Sequence, residues 1–96
     1  KLIGTLYYQK NDHANLVHKK FTYFAEVLRR EIQVDVEEVA DDERSFHRIA
    51  QKTGMEVEEI SRLIREIRPV IYGGRVLSGE EMKGFIDKMN EIINHI

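Results

Sequence analysis

The fold of this chain is decided by residues 12–33, DHANLVHKKFTYFAEVLRREIQ. At about 100° per residue, one broad sector of a helix holds the large apolar side chains of this stretch, which are Leu16, Val17, Phe21, Phe24, Val27, Leu28 and Ile32. A helix of this length measures roughly 33 Å, enough to cross a small domain. The stretch therefore predicts one long core helix, with Asp12 as its N-cap, along which the shorter segments pack.

Length and composition favour one domain without disulfide bonds. The 96 residues can bury about two-thirds of their unfolded surface, so a core is feasible without covalent cross-links. The absence of cysteine excludes disulfides and thiolate zinc sites. No apolar run approaches the ~20 residues of a membrane span. Because the chain begins with Lys1, we expect it to be a fragment of a longer protein.

The charges are unevenly distributed along the chain. The formal net charge of −2 by itself predicts neither nucleic acid nor an anionic membrane as a partner. Residues 35–43, DVEEVADDE, hold six acids and no base, which makes them the strongest local field. Mutual repulsion predicts a solvated connection there, with Asp41 or Asp42 capping the next helix.

Residues 46–68, FHRIAQKTGMEVEEISRLIREIR, predict two short helices that meet at a glycine turn. Ala50, Gly54 and Ile60 have the spacing of a helix-turn-helix corner, with a small residue at the contact, a glycine at positive φ and an aliphatic anchor. Such corners occur in DNA-binding proteins and in other helical proteins, so both functions stay open. If the corner binds DNA, the basic side chains expected to contact it are Arg44, Arg48, Arg62 and Arg65.

Two structures are possible for the segment that follows the corner. Pro69 predicts the end of the second helix, because proline lacks an N–H and clashes with the preceding turn. Residues 70–77, VIYGGRVL, place two short apolar runs around Gly73-Gly74. We favour a loop there, and a short hairpin that would form a wing is the alternative.

The remaining segments predict further helices. Residues 1–10 have helical apolar spacing, and Asn11-Asp12 would separate them from the long helix to give an antiparallel hairpin. Ser78 and Glu81 have the spacing of a capping box that begins the last helix. The prediction is a single all-α domain, residues 1–96, of four to five helices around one long helix. We expect the core to include Phe21, Phe24, Leu28, Ile49, Leu63 and Phe85.

No catalytic or metal-binding constellation is visible in the sequence. His13 and His18 are five residues apart on a helix, so they do not form the i, i+4 pair that holds a metal ion. The Gly73-Gly74 pair lacks the strand, helix and lysine of a phosphate-binding loop. We therefore expect no enzyme activity, no catalytic, metal-binding or cofactor-binding residues, no cofactor and no small-molecule substrate.

Several short motifs are spread along the chain, namely Leu6-Tyr7-Tyr8-Gln9, Asp12-His13-x-Asn15, Lys19-Lys20-x-Thr22-Tyr23-Phe24, Leu28-Arg29, the Ala50/Gly54 corner and Ser78-x-Glu80-Glu81. With these motifs the chain resembles the C-terminal cytoplasmic tail of a family of bacterial membrane proteins, in which an extracytoplasmic domain of unknown function precedes a membrane helix. The resemblance implies a cytoplasmic tail tethered to the inner membrane, whose first helix continues from the anchor. It implies no site residues. The run Val70 to Val76 is more apolar than the charged loop expected from the family.

The sequence is compatible with two functions. One is a non-catalytic helical interaction domain with a protein partner, and the other is a DNA-binding module that uses residues 46–68. In the DNA-binding case, Glu56, Glu58 and Glu59 would lie at the exposed start of the second helix, near the phosphates. Their carboxylates would repel the polyanion. The sequence therefore favours an interaction domain and disfavours nucleic acid, and it leaves the partner and the oligomeric state open.

Overall fold

The computed structural model describes residues 2–96, and the side chains of residues 13–96. Four α-helices follow one another along the chain: α1, Leu2–Ile32; α2, Asp42–Thr53; α3, Val57–Gly73; and α4, Gly79–His95. A 3₁₀ turn, Val39–Asp41, precedes α2. The described residues contain no strand, so the all-α prediction is confirmed and the hairpin alternative for residues 70–77 is wrong.

The other helices pack along α1, which supplies the largest share of the core. Its buried side chains are Val17, Phe21, Phe24, Ala25, Val27, Leu28 and Ile32. They meet the buried faces of α2, α3 and α4 in one continuous cluster that includes Ile49, Ile60, Ile64, Ile67, Met89 and Ile92. The six residues predicted for the core are all at most 9 % exposed, so that prediction is confirmed.

α1 is longer than predicted and is not interrupted at Asn11-Asp12. The predicted hairpin between residues 1–10 and the long helix is therefore wrong, and Asp12 lies inside the helix instead of at its N-cap. The physical reason is that Asn and Asp in a helix interior are each less favourable than Ala by only about 0.7 kcal/mol. That penalty is too small to end a helix whose later turns are fixed by packing.

Contacts to the other segments are made near both ends of the part of α1 whose side chains are described. The connection before α4 lies beside His13, whose Nδ1 is 3.0 Å from the carbonyl oxygen of Leu77. At the other end of α1, Arg48 of α2 donates its Nε–H to the carbonyl oxygen of Ile32 at 2.6 Å. Residues 2–12 continue the same helix toward its N-terminus. The 48 Å length of the molecule matches the roughly 46 Å of a 31-residue helix.

Leu16 belongs to the apolar sector predicted for the long helix, but its side chain is 48 % exposed. The apolar sector of α1 is narrower than the sequence pattern indicates, because the other helices cover only part of its circumference. Tyr23, seven residues later on the same edge of the helix, is also exposed. Both side chains are therefore available on the surface.

α3 does not stop at Pro69 but continues for another turn to Gly73, so the loop favoured for residues 70–77 is wrong for residues 70–73 and right only for the part that follows. Proline in a helix removes one hydrogen bond and crowds the preceding turn. In this chain Val70 is buried in the core directly after the proline, and the carbonyl oxygen of Pro69 accepts a hydrogen bond from Arg75 N–H at 3.2 Å. Tertiary packing therefore outweighs the local preference of proline.

The acidic segment between α1 and α2 was predicted to be a solvated connection, but part of it packs against the rest of the domain. Val36 within it, and Val34 just before it, are buried. Arg68 of α3 pairs with Asp42 at the start of α2 and also donates to the carbonyl oxygen of Val36. The segment is therefore fixed by two apolar anchors and one arginine, while its remaining carboxylates face solvent.

None of the helices in the described part of the chain is both long enough and apolar enough to cross a membrane.

Candidate functional site

The three predicted corner residues lie on the two helices and the turn where α2 meets α3. Gly54 follows α2 with φ of +75°, in the left-handed region, and its N–H donates to the carbonyl oxygen of Ala50 at 2.9 Å. Ile60 is fully buried on α3. The sequence reasoning missed Thr53, whose hydroxyl donates to Ile49 O at 2.8 Å and accepts from Met55 N–H at 3.2 Å. The turn is therefore held by side-chain as well as backbone hydrogen bonds.

The four arginines named for the DNA-binding alternative differ in their surroundings. Arg48 donates to the carbonyl oxygen of Ile32, at the end of α1. Arg65 lies over the ring of Phe46, with 5.6 Å between its guanidinium carbon and the ring centroid. Arg62 faces α4, and Arg44 is exposed on α2. Arg48 and Arg65 therefore contact other groups of the domain.

The three glutamates at the start of α3 also differ in their surroundings. Glu56 is the N-cap residue of α3, and Glu58 is exposed in the first turn. Glu59 accepts a hydrogen bond from Lys88 Nζ of α4 at 2.7 Å. This bond lowers the pKa of Glu59 below its ordinary value. Glu59 is thus paired within the fold, whereas Glu58 extends from the start of α3 into solvent.

A groove runs between α3 and α4, with a volume of about 430 Å³. Leu63 of α3 and Phe85 of α4 form its apolar floor, and Gly84 lies beside them. Charged side chains of both signs surround this floor, namely Glu59, Arg62 and Glu66 from α3, Arg75 from the connection, and Glu81 and Lys88 from α4. We call this feature the α3–α4 groove.

Several side chains on the rim of the α3–α4 groove are held by their neighbours. Lys88 Nζ donates to Glu59 at 2.7 Å and to Glu91 at 3.0 Å, and these bonds raise the pKa of Lys88. Glu81 accepts from the backbone N–H of Ser78 at 2.9 Å and pairs with Arg75. The Ser78 hydrogen bond is the main cause of the lowered pKa of Glu81. Ser78 and Glu81 form the predicted capping box, so the start of α4 is fixed.

Gly84 lies inside α4, where nothing in the described fold requires a glycine. It has no positive φ, and a Cβ atom at this position would meet nothing within 4 Å. Glycine in a helix interior is less stable than alanine by roughly 0.5–1 kcal/mol. Its missing side chain therefore leaves open space at the edge of the α3–α4 groove. The signal in the sequence was a glycine interrupting an amphipathic helix, and the sequence reasoning did not use it.

Within the residues that the structure describes, no group of three or more His, Cys, Asp or Glu side chains is arranged to hold a metal ion. His13 contacts Leu77 O, and His95 Nδ1 lies 2.7 Å from Glu91 O. Both contacts are to backbone carbonyls, and that of His13 joins α1 to the connection before α4, whereas that of His95 lies within α4.

Comparison with known proteins identifies one family. The family model described as DUF4350 C-terminal helical domain matches residues 1–96. No curated protein and no solved structure matches the chain. The family match covers all four helices and the α3–α4 groove between the last two.

Proposed function

We propose, from the premise that this chain belongs to the DUF4350 C-terminal helical domain family, that it is a non-catalytic interaction domain. Its α3–α4 groove binds an amphipathic helix of a partner protein. The observation that carries this proposal is the open space at Gly84 beside an apolar floor. A helix in a groove is a recurrent mode of recognition, in which apolar side chains enter the groove and polar ones meet its rim.

The position of Gly84 supports a helix as the bound element. Helices pack at interaxial distances of about 8–10 Å, and the distance depends on the side chains at the contact. A glycine at the contact lets another backbone come close. An apolar side chain of the partner would then lie over Leu63 and Phe85, which are mostly buried and line the floor of the groove with the small parts of their side chains that remain accessible.

The rim supports a partner with charges of both signs. Lys88 and Arg75 are paired with Glu59 and Glu81, so these four side chains form a nearly neutral border. Arg62 and Glu66 are exposed on α3, one turn apart. They would select for an opposite charge at each of two positions of the partner helix, which contributes specificity more than affinity.

The resemblance to bacterial membrane proteins supports a proposed location. In this proposal the domain is the cytoplasmic tail of a longer protein that is tethered to the inner membrane, and α1 leads toward the anchor. Membrane fractionation and protease accessibility of the full-length protein test it. Recovery of the intact protein in the soluble fraction, or protection of the domain from protease on the cytoplasmic side, would contradict this location.

Site-specific photo-crosslinking in cells that produce the full-length protein tests the proposed function. A photoreactive residue replaces Glu66 on the rim of the groove, and the matched control carries it at Gln51, which is exposed on α2. We expect a discrete protein adduct from position 66 and none from position 51. Adducts of equal yield at both positions, or none at position 66, would argue against the groove.

Gly84→Ala separates binding from folding in the same experiment. We expect this substitution to raise the free energy of unfolding by about 0.5–1 kcal/mol. It should nevertheless lower the yield of the adduct, because the new methyl group occupies the contact. Asn94→Ala is the matched control, since it also places alanine at an exposed position of α4 but lies away from the groove. Equal adduct yields for both variants would show that Gly84 is not the contact.

A further inference from the structure

The side of α1 that faces away from the core presents a regular row of exposed residues. Five of them follow one another at alternate spacings of three and four positions, which is the spacing of residues on one face of a helix. At about 100° per residue, they fall within a sector of about 80°. We call this face the α1 stripe, and its residues are Leu16, Lys19, Tyr23, Glu26 and Arg30.

The α1 stripe contains two of the large apolar side chains that are exposed in the described part of the chain. Leu16 and Tyr23 are 48 % and 52 % exposed, and seven residues separate them, so they lie on the same edge of the helix. Lys20 Nζ lies over the Tyr23 ring, 5.2 Å from its centroid. The ring thus extends toward the preceding turn, as long side chains in helices do. Leu16 and Tyr23 therefore form the apolar part of the stripe.

The charges of the α1 stripe have opposite signs on the two sides of Tyr23. Lys19 precedes it and Glu26 follows it, and both side chains are exposed. Glu26 accepts a hydrogen bond from Arg29 through Oε2 at 2.6 Å, and its other carboxylate oxygen can accept from a second donor. A helix with the same order of residues therefore meets opposite charges at both positions only if it runs in the reverse direction.

We propose that the α1 stripe binds the α1 stripe of a second copy of this chain, with the two helices antiparallel. In such a two-fold contact, each pair of residues occurs twice. With the symmetry axis at the level of Phe21, Leu16 lies opposite Glu26 of the second copy. Lys19 lies opposite Tyr23 of the second copy. Lys19 is then displaced from Glu26 of that copy by only about 4.5 Å along the helix, which is less than one turn.

The charge complementarity of the α1 stripe with itself favours a second copy as the occupant. Parallel copies would place Lys19 against Lys19 and Glu26 against Glu26, whereas antiparallel copies place Lys19 near Glu26 twice. Five side chains of one helix cover less than the roughly 800 Å² per partner of a standard interface. The association is therefore weak, with a dissociation constant on the order of 10⁻⁴ M. The inference does not depend on the α3–α4 groove, because the stripe belongs to another helix.

Sedimentation equilibrium of the 96-residue chain, from about 10 µM to about 1 mM, tests the association. We expect the average mass to rise with concentration toward that of a dimer. Lys19→Glu and Glu26→Lys each place like charges near each other at two positions of the pair. Each should weaken the dimer by about tenfold. The double variant Lys19→Glu/Glu26→Lys restores opposite charges, so it should associate as the unchanged chain does.

Lys52→Glu is the matched control for these variants, because it reverses a charge at an exposed position of α2. It should associate as the unchanged chain does. A monomer at every concentration would overturn the proposal and leave the α1 stripe to a different protein. A double variant that associates no better than the two single variants would also overturn it, because the charges would then not be paired between antiparallel helices.

Cysteine cross-linking tests the direction of the helices, because the chain has no cysteine of its own. Leu16→Cys and Glu26→Cys are prepared separately and mixed with a short bismaleimide. The mixture should give covalent dimers, because these positions lie opposite each other in the antiparallel pair. Either variant alone should give few, because its two cysteines are about 15 Å apart along the helices.

Arg44→Cys, at an exposed position of α2, is the matched control for the cross-linking. Its mixture with Leu16→Cys should give few covalent dimers. Equal yields from this mixture and from the mixture of Leu16→Cys with Glu26→Cys would contradict the contact. Cross-linking of Leu16→Cys with itself, at the yield of the mixture, would show parallel helices and overturn the proposal.

Discussion

Arg68 and Asp42 form a two-point ion pair, in which Nη1 donates to Oδ2 and Nη2 donates to Oδ1, each at 2.7 Å. The two residues are 26 positions apart and join the end of α3 to the start of α2. Their side chains are only 18 % and 17 % exposed. The hydrogen bonds from Arg68 lower the pKa of Asp42, and those to Asp42 raise the pKa of Arg68. The pair therefore makes stability dependent on pH.

Asp42→Asn should lower the free energy of unfolding at neutral pH by about 1–3 kcal/mol, because Arg68 loses its charged partner in a poorly solvated position. The pKa of Asp42 is lower in the folded than in the unfolded chain. Its contribution is therefore complete above the unfolded pKa of about 3.9 and is lost as the pH falls through the folded pKa. Chemical denaturation of both proteins from neutral to acid pH measures this. Their stabilities should converge at low pH, and a constant difference would contradict the assignment.

Phe24→Ala should lower the free energy of unfolding by about 3–5 kcal/mol, since a large buried ring leaves a cavity as well as losing its transfer energy. Phe24 is fully buried, and its ring centroid lies 6.1 Å from that of Phe21. Urea denaturation followed by circular dichroism gives the value. Tyr23→Ala, at the neighbouring exposed position, is the control and should change stability by about 0.5 kcal/mol or less. A loss below about 1 kcal/mol for Phe24→Ala would contradict the central position of this ring.

Gly54→Val should destabilise the domain by about 1–3 kcal/mol, because φ of +75° strains a β-branched residue even though a Cβ there would meet no neighbour. Gly84→Val makes the same chemical change in the middle of α4, where φ is not positive. It should leave stability unchanged or slightly raise it. Thermal unfolding of the two variants side by side isolates backbone strain from side-chain volume. Equal losses in both would mean that strain at Gly54 is not the cause.

The start of α3 should bind duplex DNA no more tightly than about 10⁻⁴ M at physiological salt. Glu56, Glu58 and Glu59 oppose phosphate there, and Arg48 and Arg65 are used within the fold. Fluorescence anisotropy with mixed-sequence duplex at two salt concentrations measures the affinity, with the triple Glu→Gln variant in parallel. Micromolar, salt-dependent binding by the unchanged chain would restore the DNA-binding alternative. Binding by the variant alone would show that these carboxylates prevent it.

Local signals in the sequence predicted the parts of this fold that depend on local chemistry. The spacing from Phe21 to Leu28 predicted a core helix, Gly54 predicted a left-handed turn, and Ser78 with Glu81 predicted a capping box. Each of these depends on residues within one or two helical turns. A single sequence contains that information directly.

Features that depend on tertiary contacts were not predicted. Pro69 lies inside α3 because Val70 is anchored in the core, and the Arg68–Asp42 pair joins residues that are distant in sequence. The α3–α4 groove likewise requires Leu63 and Phe85 to meet across two helices. Periodicity within one segment carries no information on which segment will lie opposite. The local signal of the groove in the sequence was Gly84, a glycine inside an amphipathic helix.

Because α1 is uninterrupted, the rotation of the domain about the axis of α1 is fixed relative to residues 2–12. An α-helix turns by about 100° and rises about 1.5 Å per residue, and it resists twisting between its ends. One residue inserted between positions 8 and 12 would therefore rotate the four-helix core by about 100° about the axis of α1 relative to the N-terminal segment, with almost no change in distance. The α3–α4 groove would turn with the core. α1 thus transmits rotation between residues 2–12 and the core, and it sets the direction in which each surface of the domain faces.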